Sequence, residues 1–460
     1  MMQKIPRLLF AAAGSGSGKT TVTCAVLKAL LDRGLRVAAF KAGPDYIDPM
    51  FHRRALGTSS CNLDLFLCGE AGVRQLFAEN SAGADLSVIE GVMGLYDGLR
   101  GVSDEGSANH LARVLDAPTI LVVDVKGMGL SAAAVVSGFL HFRENRICGV
   151  LLNRCSKGMY PIYQQAIEEL GVPVLGYLPV LPGASLESRH LGLVTAEEVE
   201  GLQEKLELLS GAAQETIDLD GLVKAAQMAN SLDVLDNYYK NIHFVKENPI
   251  VAVAKDRAFC FYYEENLRLL ERLGAVIREF SPLSDEVLPE ADGLWLGGGY
   301  PEEYAEALSA NAAMRESVRK AVTGGMPAIA ECGGFLYLLE ELTDRAGRTW
   351  PMVGALKGES HMTGKLSHFG YAYLEAKGEN LLCGTGERLP VHEFHYSQSS
   401  NDGAGFAAIK GERRRDCGHA GPSLYAGYPH LHFYGKPEAA EKFVRCCGAY
   451  QARRRKEQTI

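Results

Sequence analysis

The chemistry that the second half of the sequence could do depends on one cysteine. In "ECGGFLYLLEEL", residues 331–342, Cys332 stands between an apolar strand-like run and an apolar helix-like run, and two glycines follow it. This pattern is typical of a nucleophile elbow, in which a strained strand-to-helix turn exposes the reactive side chain. The small residues Ala330, Gly333 and Gly334 leave room for such a turn. A buried structural thiol is the alternative, but the pattern predicts a nucleophile.

A thiol that attacks a carbonyl group needs hydrogen-bond donors for the oxyanion that forms. The sequence "LGGGYPE", residues 296–302, ends another predicted strand with glycines whose backbone amides are candidate donors. The glycine that directly follows Cys332 offers a further amide at the start of a helix. We therefore predict that Gly298, Gly299 and Gly333 form an oxyanion hole beside the thiol.

The thiol also needs a base. In "YPHLHF", residues 428–433, His430 and His432 lie two apart on a predicted short strand, so both rings should point to one face. Cysteine, oxyanion glycines and histidines occur in an order that is workable for nucleophilic catalysis. The predicted catalytic residues are therefore Cys332, His430 and His432, and the residues alone leave open which histidine is the base.

The first half contains a phosphate-binding pattern. In "AAAGSGSGKTT", residues 11–21, glycine amides can approach phosphate oxygens, Lys19 can reach the β and γ phosphates, and Thr20 can ligate magnesium. The strict pattern has glycine where this chain has Ala13, and a plain Gly/Ser-rich turn is the alternative. Asn153 ends "GVLLN", where a nucleotide domain could read the base, although it could equally be a turn residue. The predicted nucleotide-binding residues are Gly14, Gly16, Ser17, Gly18, Lys19, Thr20, Thr21, Lys41 and Asn153.

Acidic residues follow two further predicted strands. The loops "KAGPDYIDP", residues 41–49, and "IEGVMGLYDG", residues 89–98, should meet at the sheet edge where ligands of open α/β sheets bind. Carboxylates repel a triphosphate unless magnesium lies between them, so their clustering indicates a site for metal and nucleotide. The alternative for each acid taken alone is that it caps a loop. The residues predicted to hold Mg²⁺ are Thr20, Asp48 and Glu90. The residues predicted to contact the substrate are Asp45, Tyr46, Ile47, Asp48 and Asp97.

These residues require an α/β scaffold. Near-continuous apolar runs separated by amphipathic segments predict a parallel sheet covered by helices. In the first half the apolar runs are "RLLFAAA", "LRVAAF", "DLSVIEG", "PTILVVDV", "ICGVLLN" and "VPVLGYLP". A second series begins with "PIVAVAKD" and leads through "PAIAE" into Cys332. The predicted fold class is therefore α/β, with two doubly wound domains of which the first is a P-loop NTPase-like parallel sheet.

The length of 460 residues is too great for one ordinary core and predicts more than one domain. We place an ATP-binding domain at 1–195, a helical linker at 196–247 and a second catalytic domain at 248–448. The remaining residues, 449–460, carry a run of basic side chains and are expected to form a frayed tail.

Composition excludes several classes of partner. A formal charge of −9 leaves no basic face that would draw the chain to nucleic acid. The eleven cysteines are scattered without framework spacing, which indicates reduced thiols, and no CxxC pair suggests zinc. The N-terminal apolar run is too short for a signal peptide and no other run is long enough to span a membrane. We expect a cytoplasmic protein that binds neither nucleic acid nor membrane.

The motifs taken together resemble a known family across nearly the whole chain. "SGSGKTTVT", "KAGPDYIDP" and "EGVMGLYDG" are similar to a dethiobiotin-synthetase-like ATP domain. "ECGGFLYL", "HEFHYS" and "HLHF" are similar to a class I glutamine amidotransferase of the cobalamin-synthesis subtype. Joined in this order, they resemble the cobyrinic acid a,c-diamide synthase family. Many class I amidotransferases have His-x-Glu where this chain has His430-Leu431-His432, and Pro429 also departs from the expected aliphatic residue.

The resemblance implies a substrate, a reaction and a role for each half. The substrate would be cobyrinic acid, a corrin whose a and c acetate side chains are amidated with L-glutamine as the nitrogen source and ATP with Mg²⁺ as the activator. Because a carboxylate is a poor electrophile, the first domain would phosphorylate it to an acyl phosphate while Cys332 releases ammonia from glutamine. A protected route for ammonia and a homodimer are further expectations. The alignment with His-x-Glu favours His430 as the base and leaves His432 in the place of the carboxylate.

Two alternatives remain at this point. A Ni-sirohydrochlorin a,c-diamide synthase shares the same layout and would act on a nickel tetrapyrrole. A P-loop switch ATPase of the partitioning type would act as a binding module, but this interpretation leaves the domain of Cys332 without a role.

Overall fold

The computed structural model describes residues 2–99, 101–184, 201–235 and 237–459. The chain forms two compact units. The first comprises Met1–Leu65 with Gly69–Tyr238, and the second comprises Phe66–Cys68 with Tyr239–Ile460. Among the described residues, no helix combines the length and apolar character needed to cross a membrane.

The first unit is built on a seven-stranded parallel sheet. In spatial order its strands are Ser60–Leu63, Val37–Ala42, Leu86–Glu90, Arg7–Ala12, Thr119–Asp124, Ile147–Asn153 and Val174–Leu178. Six of the seven coincide with the apolar runs of the sequence. The seventh, "SCNL", was missed because it is short, polar in part and lies at the edge of the sheet. A separate two-stranded ribbon joins Met2–Gln3 to Leu232–Asp233.

Helices cover both faces of this sheet. They are Lys19–Asp32, Ile47–Leu56, Ala108–Val114, Ser131–Phe142, Tyr160–Glu168, Leu202–Thr216 and Leu219–Gln227. The helical stretch Leu65–Asn80 is kinked at Gly69, and of its residues Phe66–Cys68 belong to the second unit. Successive strand residues alternate between two apolar clusters, with Ile120 and Val122 in one and Leu121 and Val123 in the other. This alternation is what a sheet buried on both faces requires, and the doubly wound prediction is confirmed.

The segment predicted as a helical linker is described from residue 201 onward. Leucines of its two helices, including Leu206, Leu209 and Leu222, are fully buried in the same cluster as Leu8 and Phe10 of the sheet. The helices are therefore part of the core of the first unit. The predicted start of the linker, at residues 196–200, lies outside the described residues.

The second unit contains a six-stranded sheet whose main strands are parallel. In spatial order its strands are Val276–Phe280, Ile250–Ala254, Gly293–Leu296, Ala328–Glu331, Leu424–Gly427 and the antiparallel His419–Ala420. Its helices are Glu264–Arg272, Ala305–Ala310, Ala312–Thr323, Gly333–Leu338 and Pro437–Thr459, with a 3-10 turn at Phe433–Gly435. The α/β class predicted for the second half is confirmed.

The second unit also contains strands outside this parallel sheet, which we did not predict apart from the short strand at His430. One sheet has five strands: Arg413–Cys417, Phe406–Lys410, His368–Ala376, Arg388–His395 and His430–Leu431. Another sheet is mixed and has four strands, of which the two middle ones pair in parallel: Thr349–Pro351, Glu341–Thr343, Glu359–Met362 and Ser397–Ser399. A short ribbon pairs Phe259–Phe261 with Gly298–Gly299.

The expectation of a frayed tail at 449–460 is wrong. The helix Pro437–Thr459 continues through it, and the amide of the buried Gln451 donates to Oδ2 of Asp292 at 2.9 Å. Arg454 also pairs with Asp292 at 3.2 Å. Gln451 and Arg454 thus attach this segment to the buried Asp292. The basic composition of the segment had suggested that solvent surrounds it.

Candidate active site

The phosphate-loop residues form a left-handed turn that leads into the first long helix. Gly18, at φ 85°, caps the helix that begins at Lys19, and a Cβ atom there would overlap the side-chain amide of Asn153. That amide donates to the carbonyl oxygen of Ser17 at 2.9 Å, and the hydroxyl of Ser17 donates to Gly14 at 3.0 Å. Asn153 therefore braces the loop, a contact that its position at the end of a strand did not reveal.

The residues predicted to hold magnesium meet around one buried carboxylate. Oε1 of Glu90 accepts from the hydroxyl of Thr20 at 2.6 Å and from Nζ of Lys41 at 2.8 Å. Lys41 also contacts Oδ2 of Asp48 at 2.5 Å. Lys41 and Glu90 are register partners on adjacent parallel strands, so the sheet itself brings them together.

The charges in this cluster compensate one another. Burial alone would lower the pKa of Lys41, but the adjacent carboxylates of Asp48 and Glu90 outweigh it and raise that pKa. Burial would raise the pKa of Asp48, and Lys41 reverses the direction and lowers it. Lys19 differs, since burial lowers its pKa despite the neighbouring acids, and its Nζ donates to the carbonyl oxygen of Met93 at 2.6 Å.

The donor set suits a hard cation. Within the described residues, Oε2 of Glu90 is buried without a hydrogen-bond partner, while Oε1 accepts from the hydroxyl of Thr20, and Lys41 links Glu90 to the carboxylate of Asp48. Oxygen donors of this kind are the ligands that magnesium prefers. The buried ring of His52 lies 3.8 Å from Oε2 of Glu90. Sequence reasoning missed His52, which sits on the helix Ile47–Leu56, one turn after Asp48.

Three of the residues predicted to contact the substrate have contacts within the unit itself. Asp45 accepts the backbone N–H groups of Ile47 at 2.8 Å and Asp48 at 3.1 Å, so it shapes the start of a helix. Burial and the charge of Asp48 raise the pKa of Asp45 to about 6. Ile47 packs partly against the apolar core of the unit. Asp97 accepts the N–H of Gly94 at 2.8 Å and thus shapes its own loop.

A cavity of about 300 Å³ adjoins the phosphate loop. The residues that line it include Gly16, Lys19, Thr20, Thr21, Asn153 and Pro179. Thr21, predicted only from its place in the motif, therefore borders the same space as the lysine.

In the second unit, Cys332 occupies the turn between the strand Ala328–Glu331 and the helix Gly333–Leu338. Its backbone lies at φ 46° and ψ −102°, a strained conformation for a residue with a Cβ atom. The strain is held in place because its N–H donates to Gly427 at 2.8 Å. A Cβ atom on Gly334 would overlap the carbonyl oxygen of Leu296, so the helix can approach the sheet only with glycine there.

His430 is the histidine that reaches this turn. The strand His430–Leu431 pairs with Val391 and His392, which places His430 in the five-stranded sheet. Burial would lower its pKa, but the neighbouring side chains of Cys332 and Glu331 outweigh the burial and raise it to about 10. The imidazolium form is therefore the favoured one beside the thiol.

His432 lies elsewhere, which corrects the expectation that both histidines share one strand face. The strand ends at Leu431, and His432 precedes a 3-10 turn with its ring 4.5 Å from the ring of Tyr263. Burial lowers its pKa to about 3, and within the described residues neither of its ring nitrogens has a hydrogen-bond partner. Because it is a neutral ring in an apolar setting, His432 cannot take the place of a triad carboxylate.

The three predicted oxyanion glycines also lie around this turn. A Cβ atom on Gly298 would come 2.6 Å from Cε1 of His430, and one on Gly333 would come 3.1 Å from the backbone nitrogen of Gly299. Gly333 opens a helix, so its N–H has no acceptor within that helix. Gly298 and Gly299 belong to a short antiparallel ribbon, which the sequence did not indicate.

Sequence reasoning missed Glu331 and Asn266. Oε2 of Glu331 lies 3.8 Å from Nδ1 of His430, and Oε1 accepts the N–H of Leu431 at 2.9 Å. Asn266 holds the same stretch from another side, because its amide donates to Leu431 and accepts from the N–H of Phe433. A buried-strand glutamate directly before the cysteine was the available signal for Glu331.

A polar cavity of about 250 Å³ lies in the same unit. Its lining residues include Glu359, His361, His368, His395, Asp402 and Tyr428. Tyr428 follows Gly427, which accepts the N–H of Cys332, and the charge of Cys332 contributes to the raised pKa of Tyr428. The cavity therefore adjoins the cysteine turn.

The comparisons with known proteins agree with this layout. Residues 8–193 match the model of the CobQ/CobB/MinD/ParA nucleotide binding domain. Residues 250–438 match the model of the CobB/CobQ-like glutamine amidotransferase domain.

Three similar proteins are each named cobyrinate a,c-diamide synthase. The protein of Clostridium acetobutylicum is 42% identical over 449 residues, which cover 95% of this chain and 99% of that protein. The protein of Thermoplasma volcanium is 40% identical over 98% of this chain and 99% of its own length. The protein of Listeria innocua is 42% identical over 94% of this chain and 97% of its own length. The chain belongs to the cobyrinate a,c-diamide synthase family.

Membership of the cobyrinate a,c-diamide synthase family makes this chain a glutamine-dependent ligase. The nucleotide-binding domain matched at residues 8–193 supports the use of ATP. A P-loop switch ATPase acting only as a binding module does not account for the amidotransferase domain that fills the second half.

Proposed function

We propose that this chain amidates the a and c acetate carboxylates of cobyrinic acid, with ATP as the activator and glutamine as the nitrogen donor. The observation that carries the proposal is the similarity, about 40% identity over nearly the full length, to proteins named cobyrinate a,c-diamide synthase. Both predicted sites lie within the matched domains.

The first unit would activate the substrate carboxylate by phosphorylation. The loop amides and Lys19 would bind the phosphates of ATP, and Thr20, Glu90 and Asp48 would hold Mg²⁺. The metal would supply charge neutralisation at the phosphates. Lys41, whose ammonium now joins the two acids, would remain beside the phosphates as a fixed positive charge. The carboxylate oxygen would attack the γ phosphorus, ADP would leave, and the resulting acyl phosphate would carry a good leaving group.

The second unit would release ammonia from glutamine. The sulfur of Cys332, with its proton held on His430, would attack the carbon of the side-chain amide while N–H groups of the glycine turn stabilise the oxyanion. His430, protonated at neutral pH, would give its proton to the departing nitrogen, so that the C–N bond breaks and ammonia leaves. Water would then hydrolyse the thioester to glutamate and free the thiol.

The polar cavity beside the cysteine turn suits the amino-acid end of glutamine. Glu359 and Asp402 offer carboxylates to an α-ammonium group, and His361 and His368 offer ring nitrogens to an α-carboxylate. His395 donates through Nδ1 to the carbonyl oxygen of Ser397 at 2.9 Å, which leaves Nε2 as a buried acceptor. We propose that this cavity orients glutamine toward Cys332.

The deciding experiment offers the purified protein either cobyrinic acid or nickel sirohydrochlorin, with ATP, magnesium and glutamine, and resolves the products by mass. Two successive amidations of the corrin, with no product from the nickel compound, are expected. Turnover of nickel sirohydrochlorin alone would replace the corrin assignment with the nickel one. Consumption of ATP without any amide product would contradict both. A homodimer stays a prediction, and sedimentation of the purified protein would check it.

A further inference from the structure

Glu331 contacts both the histidine ring that faces Cys332 and the backbone that carries that ring. One carboxylate oxygen lies 3.8 Å from Nδ1 of His430, and the other accepts the N–H of Leu431 at 2.9 Å. Only 2% of the surface of Glu331 and 3% of that of His430 are exposed. The same glutamate immediately precedes Cys332 in the chain, so the strand that ends in the nucleophile also delivers the acid.

A buried carboxylate is stable only if a charge or several donors compensate it. Tyr262 and Tyr425 lie close enough to sense the charge of Glu331, but burial raises the pKa of both and keeps them neutral. His430 is therefore the cationic partner of this acid among the ion pairs of the described residues. The backbone N–H of Leu431 supplies the second compensation.

The other titratable groups that face His430 do not compete for this role. His392, its register partner on the neighbouring strand, and His395 both sense the charge of His430. Burial lowers the pKa of each to about 3, so both rings are neutral near neutral pH. Among the described residues, the neighbours that raise the pKa of His430 are thus Cys332 and Glu331.

We propose that Glu331 is the positioning residue of the glutaminase site, in the role that the carboxylate of a His-x-Glu pattern has in other class I amidotransferases. The carboxylate of Glu331 faces Nδ1 of His430. This contact directs the other ring nitrogen, Nε2, toward Cys332, and it stabilises the imidazolium. The inference rests on the proposed roles of Cys332 and His430. It explains how this chain functions with His432, a neutral and apolar-packed ring, at the position where the pattern has its acid.

The test compares Glu331→Gln with the parent protein in glutaminase activity across pH. The amide oxygen of glutamine can still accept the N–H of Leu431, so the fold should persist while the charge is lost. We expect the glutaminase rate to fall by about a hundredfold. We also expect the alkaline limb of the pH profile to move down by at least about one unit, because an opposite charge within contact distance raises a histidine pKa by that order.

Asp292→Asn is the matched control. Asp292 is fully buried and also accepts a backbone N–H, that of Ile250 at 2.9 Å, but it precedes its strand and so lies at the opposite edge of the parallel sheet from Cys332. Its loss should affect stability without moving the alkaline limb. Glu331→Asp provides a second variant, since it keeps the charge: the limb should stay near that of the parent protein even if the rate falls.

Three results would overturn the inference. One is a Glu331→Gln variant with the rate and the alkaline limb of the parent protein. Another is an equal shift of the limb in Asp292→Asn. The third is a Glu331→Asp variant whose limb moves as far as that of Glu331→Gln. Failure of the proposed function is distinguishable, because it would appear as glutaminase activity that survives in Cys332→Ser, whatever Glu331 does.

Discussion

At the scale of single residues, two histidines that look equivalent in "YPHLHF" have opposite environments. His430 is protonated because Cys332 and Glu331 favour its charged form despite burial. His432 is neutral because burial acts on it without compensation. Both rings are buried, yet His430 is protonated and His432 is neutral. The difference comes from the side chains next to each ring.

We expect His430→Ala to reduce glutaminase activity by about 10²- to 10⁴-fold, because the proton donor for the leaving ammonia is lost. His432→Leu should stay within a few-fold of the parent protein, since replacing a buried ring without hydrogen-bond partners by an apolar side chain is nearly neutral. The measurement is glutamate release from glutamine. Near-normal release by His430→Ala, together with its loss in His432→Leu, would reverse the assignment.

The pH dependence of the glutaminase follows from the same histidine. The pKa of His430 is raised from 6.5 to about 10, so the protonated ring persists through neutral pH. We expect glutaminase activity to fall as the pH rises through about 10. The stabilisation from this contact should be complete below pH 6.5, decline progressively above it, and be gone above about pH 10. Steady-state rates and urea midpoints measured over this range check both. A glutaminase rate that already declines near pH 6.5, or a urea midpoint that does not change between pH 6.5 and 10, would contradict the raised pKa.

At the scale of elements, the cysteine turn depends on how closely the helix Gly333–Leu338 approaches the sheet. Gly334 has no room for a side chain against the backbone of Leu296. The strained backbone of Cys332 persists because the strand before it and the helix after it are both fixed.

Gly334→Ala should therefore lower the free energy of unfolding by about 1–3 kcal/mol or more, as overpacking against backbone does. Gly378→Ala is the matched control in the same unit, because a Cβ atom there would meet nothing within 4 Å. Urea denaturation of both variants provides the measurement. Equal stability of the two would show that the helix can move away from the sheet at no cost.

At the scale of the whole molecule, two reactions are assigned to two separate sets of residues. Cys332→Ser should abolish synthesis with glutamine but retain it with a high concentration of ammonium, because the phosphorylating site is unaltered. Measurement of the amide product with each nitrogen source tests this. Loss of synthesis with ammonium as well, in a variant that remains folded, would show that the two activities are not separable in this way.

The corresponding test for the phosphorylating site changes a residue of the first unit. Thr20→Ala removes a hydroxyl that contacts Glu90 at 2.6 Å and is proposed to ligate magnesium. We expect synthesis to fall with either nitrogen source, since the acyl phosphate cannot form efficiently, while basal glutamine hydrolysis continues. Normal ammonia-dependent synthesis in this variant would remove Thr20 from the proposed metal site.

The sequence by itself determined both parallel sheets apart from the edge strand Ser60–Leu63, because strands buried on two faces must be apolar throughout and such runs are visible without a structure. It also determined the phosphate loop and the cysteine turn, whose chemistry depends on residues that are adjacent in the chain. It did not reveal the antiparallel strands. The strand His368–Ala376 was hidden because aromatic side chains such as Phe369 and Tyr373 occupy its exposed positions and mask the alternation of period two.

Only the tertiary structure decided which groups meet. Glu331 and His430 are far apart in the chain and become neighbours because two different sheets end at the same turn. The same holds for Glu90, which gathers Thr20 and Lys41 from separate elements, and for Asn153, which braces a loop more than a hundred residues away. Local patterns specify backbone conformation, whereas the electrostatic environment of a buried group depends on contacts that no local pattern contains.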